Sequence, residues 1–181
     1  MKKFHLYILL LILGWVLPAG GQVPEYELKA VYLFNFAKFV EWPSSAFAGD
    51  NTSFLIGVLG DDPFGDALDA AVKDRSIQGR PIRVKRFDNF DGTQTTSLRQ
   101  CQILFICFSE KERIEAILQA LEGAQVLTVS EIEKFNILGG MILFDQEGDR
   151  ITLDVNPRAA QRVQLSISSK LLQVSKIYKS E

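Results

Sequence analysis

The chain has one histidine, His5, among its 181 residues, and that ring falls in a stretch read below as a removable export signal. A mature chain without histidine excludes Ser-His-Asp and Cys-His nucleophile systems and every zinc site that uses imidazole. Basic residues are not in excess: 20 Lys and Arg stand against 22 Asp and Glu. That balance argues against nucleic acid, whose phosphates demand clustered positive charge. There is no G-x-S-x-G, C-x-x-C, EF-hand loop or retaining-glycosidase signature, no internal repeat and no low-complexity block. No catalytic, cofactor-binding or metal-binding residue set follows from the sequence, and the chain reads as a non-enzyme.

What is present begins with an export signal at residues 1–21. Lys2 and Lys3 form a positive n-region, Leu6 to Leu17 an apolar core, and Ala19 and Gly21 the small residues before a cut at Gln22. The core is shorter than the roughly 20 residues a membrane-spanning helix needs. Removing 21 of 181 residues leaves 160, read as one domain over residues 22–181. Losing Lys2 and Lys3 leaves 18 basic against 22 acidic residues, a formal charge of −4. No cysteine follows the cut directly, so a lipid anchor is not indicated.

Cys101 and Cys107 flank QILFI, which reads as a buried strand. Six residues of strand span roughly 20 Å at about 3.3 Å per residue. A disulfide tolerates a Cα separation of about 7 Å, so no Cys101–Cys107 bond is expected. Two small core residues is the bland reading of the pair, and an intermolecular bridge or redox role the other.

The remaining punctuation gives alternating elements. Phe54 to Leu59 is a strand buried on both faces, and Asp62 with Pro63 opens a helix. Ile82 to Phe87 is a more exposed strand. Ile103 to Phe108 is the central one, and Ser109 with Glu112 makes a capping box for a helix reaching about Leu121. Gln125 to Val129 is a fourth strand, after which Ser130 and Glu133 open a helical turn. MILFD and RITLDV flank QEGD as an antiparallel hairpin. Asn156 caps Pro157, and Ile167, Leu171, Val174 and Tyr178 have helical spacing. The pattern predicts a three-layer α/β fold: a mainly parallel sheet flanked by helices on both faces, with a C-terminal antiparallel hairpin at one edge.

YELKAVYLFNFAKFVEWP, residues 26–43, carries six aromatic residues. On a helical projection Leu28, Tyr32, Phe36 and Phe39 fall within a sector of about 80°. Ala30, Phe34 and Ala37 lie opposite, and only Lys29, Asn35, Lys38 and Glu41 interrupt the apolar surface. Such a helix is either sandwiched between layers or partly exposed for docking.

Two motif readings fail. GDDPFG at 60–65 has the glycine spacing of a phosphate loop, but Asp66 and Ala67 follow where Lys and Ser or Thr are required. Asp61 and Asp62 fit the acidic pair of a receiver domain, yet Phe108-Ser109 and Asp145 occupy the places of its phosphoacceptor aspartate and lysine. The crevice at the carboxyl ends of the strands, near Gly60 to Asp62 and Phe108 to Glu110, remains open to a small molecule.

Eight stretches in order, YELKAVYLFNFAKFVEWP, GVLGDDPFG, GRPIRVKRF, CQILFICFSEKER, LTVSEIEKF, GGMILF, RITLDVNPRAA and ISSKLL, resemble the YfiR-like family of periplasmic regulatory proteins. The resemblance implies regulation: a periplasmic protein that binds and represses an inner-membrane diguanylate cyclase, lowering cyclic-di-GMP and biofilm formation, until an outer-membrane lipoprotein draws it away. It also implies a homodimer and no cofactor. Two mature cysteines depart from the family's pattern, and disulfide-based control does not carry over. A different membrane receptor, or a periplasmic small-molecule sensor, is the alternative. Joining the resemblance to the aromatic helix marks Phe36, Lys38, Phe39, Glu41 and Trp42 as partner-binding residues. The other reading of the same aromatics is core filling under the sheet.

Overall fold

The computed structural model describes residues 25–49 and 52–179; the expected signal at 1–21 lies outside them. Helix α1 (Glu25–Phe39) runs into a two-residue strand, β1 (Val40–Glu41). There follow β2 (Phe54–Leu59), α2 (Asp66–Val72), β3 (Ser76–Ile77), β4 (Arg80–Phe87), α3 (Thr95–Leu98) and β5 (Ile103–Ile106). A 3-10 stretch, Phe108–Arg113, enters α4 (Ile114–Ala120), and β6 (Leu127–Ser130), β7 (Ile142–Glu147) and β8 (Arg150–Val155) come next. The chain closes with α5 (Pro157–Arg162), β9 (Ser166–Ile167), α6 (Ser169–Gln173) and β10 (Lys176–Ile177).

Eight strands form one sheet in the order β10-β8-β7-β6-β5-β2-β4-β3, while β1 pairs antiparallel with β9 beside it. The run from β4 through β2, β5 and β6 to β7 is parallel. The cause is visible in β5, whose four residues Ile103 to Ile106 are all buried: a strand apolar on both faces needs a layer on each. Phe54, Ile56, Val58, Ile103 and Phe105 face a core shared with Leu33, Leu68, Ala160 and Leu171 of α1, α2, α5 and α6. Leu59, Leu104 and Ile106 face the other core, closed by Leu98, Ile114 and Ile117 of α3 and α4. The expected three-layer α/β architecture is therefore borne out. The antiparallel β7–β8 hairpin turns at Gly148, whose φ of +60° suits a two-residue connection. It lies one strand inside the sheet edge, because β10 adds in parallel beyond β8.

Four local expectations fail for tertiary reasons. The helix expected from Pro63 begins at Asp66, because Phe64 is drawn edge-on against Phe105 (4.8 Å) and Asp62 accepts from the Phe64 N–H (2.8 Å) in a turn. The Ser109–Glu112 capping box does not form; Ser109 Oγ accepts instead from the Asp61 N–H at 2.9 Å, and the segment is a 3-10 stretch. The Ser130–Glu133 box does not form, since Ser130 Oγ accepts from Ile132 N and donates to the Ile106 carbonyl. The short helical turn expected there is nevertheless present, with Phe135 N and Leu138 N bonded to the Ile132 and Lys134 carbonyls. The tail helix over Ile167 to Tyr178 is broken. Ile167 pairs with Val40, Ser168 caps the short α6 over Leu171, and the Tyr178 N–H donates to the Val155 carbonyl. The Asn156 cap does form, its side chain accepting from Ala159 N at 3.0 Å, a contact worth about 1 kcal/mol.

Candidate binding surface

Helix α1 is apolar on most of its circumference, and the fold covers most of it. Ala30, Leu33, Phe34, Phe36 and Ala37 are buried. Phe36 stacks on Phe144 of β7 (centroids 5.8 Å, 28°), and Phe34 lies under Arg75 (4.5 Å) and Lys38 (5.2 Å). The sector expected to be most apolar is only half used: Tyr32 and Phe39 are half-buried, and Leu28 points outward with Val31, at 38% and 46% exposure.

The five residues marked for partner binding separate on this geometry. Phe36 is fully buried, with Phe144 of the β7 hairpin closed over it, so the expected direct contact has no exposed Phe36 side chain behind it in this fold. Lys38 and Glu41 are exposed. Phe39 is half-buried, and its carbonyl accepts from Ser168 N at 2.8 Å. Trp42 is half-buried too; its Nε1 donates to the Gln102 carbonyl (3.1 Å) and its ring meets Phe54 edge-on at 5.0 Å. Trp42 thus ties together the amino-terminal ends of β2 and β5.

A group with no motif to announce it fixes the other end of α1. Lys29 is 4% exposed, its ammonium bonded to Glu25 one turn earlier and to Glu131 Oε2 (2.5 Å) after β6. Glu131 Oε1 accepts from the Tyr26 hydroxyl at 3.0 Å. Burial, and the Glu131 carboxylate beside it, push the Tyr26 hydroxyl above its ordinary pKa. A buried cation needs such partners. The legible signal was Glu25 four residues before Lys29 on an otherwise apolar helix; its long-range partner was not.

Part of the crevice left open for a small molecule is taken up by Glu110 and its partners. Glu110 is fully buried, takes both Arg113 Nε (2.8 Å) and Nη2 (3.0 Å), and accepts from Phe90 N. Gly60, at φ +96°, lies so close that a Cβ there would sit 2.5 Å from Ser109 Oγ, which is why this turn takes glycine. A cavity of about 270 Å³ lies farther along the same sheet end, between Phe108, Phe144, Lys29 and Glu131. Among the described residues, no group of three or more His, Cys, Asp or Glu is placed to hold a metal ion.

Cys101 and Cys107 are free and buried at the two ends of β5. Burial pushes the Cys101 thiol up to about 12, and Cys107 is raised by burial and by Asp62, Glu131 and Glu110 nearby. Thiolate is the reactive form, so both thiols should resist a disulfide reagent at neutral pH until the chain is unfolded. Stoichiometric labelling of the native protein within minutes would contradict that expectation.

Three comparisons place this arrangement. A family model described as YfiR/HmsC-like matches residues 26–176. No curated protein matches. The crystal structure of a conserved domain protein from Vibrio cholerae O1 biovar El Tor str. N16961 superposes with a TM-score of 0.58 at 12% identity. The match covers 86% of this chain and 60% of that one, and shows the fold alone.

Proposed function

The chain belongs to the YfiR/HmsC-like family, and on that premise we propose that it is a periplasmic regulatory protein that binds and represses a membrane-bound signalling protein. The partner in this reading is the periplasmic part of an inner-membrane diguanylate cyclase, with an outer-membrane lipoprotein as the competitor that releases it. The regulator acts by stoichiometric binding, as a homodimer, and the output is lower cyclic-di-GMP.

The observation that carries the reading is the outer surface of α1. A helix sunk in the core on most sides leaves Leu28 and Val31 exposed, and Lys38 and Glu41 stand exposed toward its far end. Exposed apolar residues with charged ones near them, here Glu25 and Glu27 beside Val31, suit a protein interface. Among the described residues no helix is long and apolar enough to cross a membrane. Deleting the gene should raise cyclic-di-GMP, measured by mass spectrometry of cell extracts. An unchanged level under several growth conditions would remove the cyclase from the proposal.

A further inference from the structure

Between α1 and α2 runs a groove of about 750 Å³. Its α1 wall carries Val31, and its α2 wall carries Ala67, Ala70 and Ala71, which share one helix face at i, i+3 and i+4. Tyr26 and Phe64 close one end, packed edge-on at 5.6 Å and 81°. Short alanine side chains leave this wall low, so a visiting segment can come close to the α2 backbone and cover Val31.

The rim has one sign of charge. Glu25, Glu27 and Asp66 line the groove, and no lysine or arginine is among its lining residues. Glu25 is partly neutralised by Lys29, whereas Glu27 and Asp66 are exposed. An acidic rim around an apolar floor selects by charge: a cationic segment is drawn in, and an acidic segment or an anionic lipid surface is repelled. A second copy set on this groove about a two-fold axis would bring these carboxylates toward their own symmetry mates.

We propose that this groove is where the regulated membrane protein docks, through a short segment whose apolar face is flanked by Lys or Arg and lies across α1 and α2. This rests on the binding function proposed above and adds to it the place and the chemistry of the contact. The apolar face covers Val31 and the alanine wall, and the flanking cations meet Glu27 and Asp66. Mutual attraction of this kind speeds encounter and weakens as salt is added.

The test is photocrosslinking in cells with the full chain, carrying a photoreactive residue either at position 70, inside the groove, or at position 41, beyond the far end of α1. The expected result is an identified membrane signalling protein captured from position 70 through a peptide with Lys or Arg beside apolar residues. Its yield should drop about tenfold in the double variant Glu27→Lys/Asp66→Lys and in Val31→Arg, as for a lost interface anchor or lost complementarity. Glu27 and Asp66 are first-turn carboxylates of α1 and α2, so their reversal should lower the melting temperature slightly. Val31→Arg leaves those charges in place and should keep it unchanged, which separates lost docking from lost folding. Capture of the membrane protein from position 41 alone would overturn the groove and leave the binding function standing. Capture from neither position would overturn both. Self-capture from position 70 would make a second copy the occupant, and a yield indifferent to charge reversal would overturn the basic character of the partner.

Discussion

Replacing Glu131 with alanine should destabilise the protein by about 3 kcal/mol, the low end of what breaking a buried ion pair costs. The reason lies in what is left behind. Lys29, 4% exposed, would lose the carboxylate that holds it at 2.5 Å and keep only Glu25, whose side chain is 46% exposed. Tyr26 would lose its acceptor in the same step. A buried ammonium with one mobile partner is an uncompensated charge in a poorly polar site. The Tyr26 and Phe144 rings, 4.7 and 5.8 Å away, offset part of this. Denaturant titration gives the stability change, and hydrogen exchange should show the first turns of α1 opening more readily than the sheet. The double variant Lys29→Met/Glu131→Leu should recover most of the loss, since removing both charges removes the desolvation cost as well. A single variant within 0.5 kcal/mol of the parent, about the range of an ordinary surface change, would mean that Glu25 alone suffices. Because Glu25, Tyr26 and Val31 line the groove on α1, partner capture should fall together with this local stability.

A second large effect is expected in the middle of the sheet. Phe105→Ala should cost about 4 kcal/mol, within the range for truncating a buried phenylalanine. Phe105 is fully buried on β5. Its ring meets Phe64 edge-on at 4.8 Å and tilts against Phe144 at 6.3 Å. Phe64 in turn touches Tyr26, and Phe144 touches Phe36 and Tyr32. One side chain of the central strand therefore supports both the turn before α2 and the buried face of α1, so the vacated space cannot close without moving two elements. Phe105→Leu keeps most of the volume and should cost less than about 2 kcal/mol. Urea unfolding of the two variants decides the matter: equal midpoints would mean that the aromatic cluster relaxes freely around position 105.

The two effects differ in how far the sequence announced them. FLIGVL and QILFI read directly as two-sided strands, because a continuous apolar run between turn residues has no other economical fate in a small α/β domain. The hairpin around QEGD and the Asn156 cap were legible for the same kind of reason, since both are decided by residues within a few positions of one another. The Lys29–Glu131 bond joins residues 102 apart in the chain, and no local pattern specifies it. The S-x-x-E spacing at Ser109 and Ser130 fits a capping box but does not decide it. At Ser109 the hydroxyl accepts from the distant Asp61 N, whereas at Ser130 it accepts from Ile132 N, two residues on, and donates its proton to the Ile106 carbonyl. A capping box read from spacing is lost wherever another group, distant as at Ser109 or local as at Ser130, takes the same acceptor oxygen.

The candidate surface shows the same division. Composition, hydrophobic period and motif order determined an α/β sheet protein with an aromatic first helix and membership of the YfiR/HmsC-like family, because these depend on residues read along the chain. Which side of that helix faces out was decided only by tertiary structure. A helix apolar all round has no preferred face of its own; Phe144 stacked on Phe36 and Arg75 over Phe34 settle the matter, which leaves Leu28 and Val31 exposed. The acidic rim is likewise a product of folding, since Glu27 and Asp66 are 39 positions apart in the sequence and meet at one groove only when α2 packs beside α1.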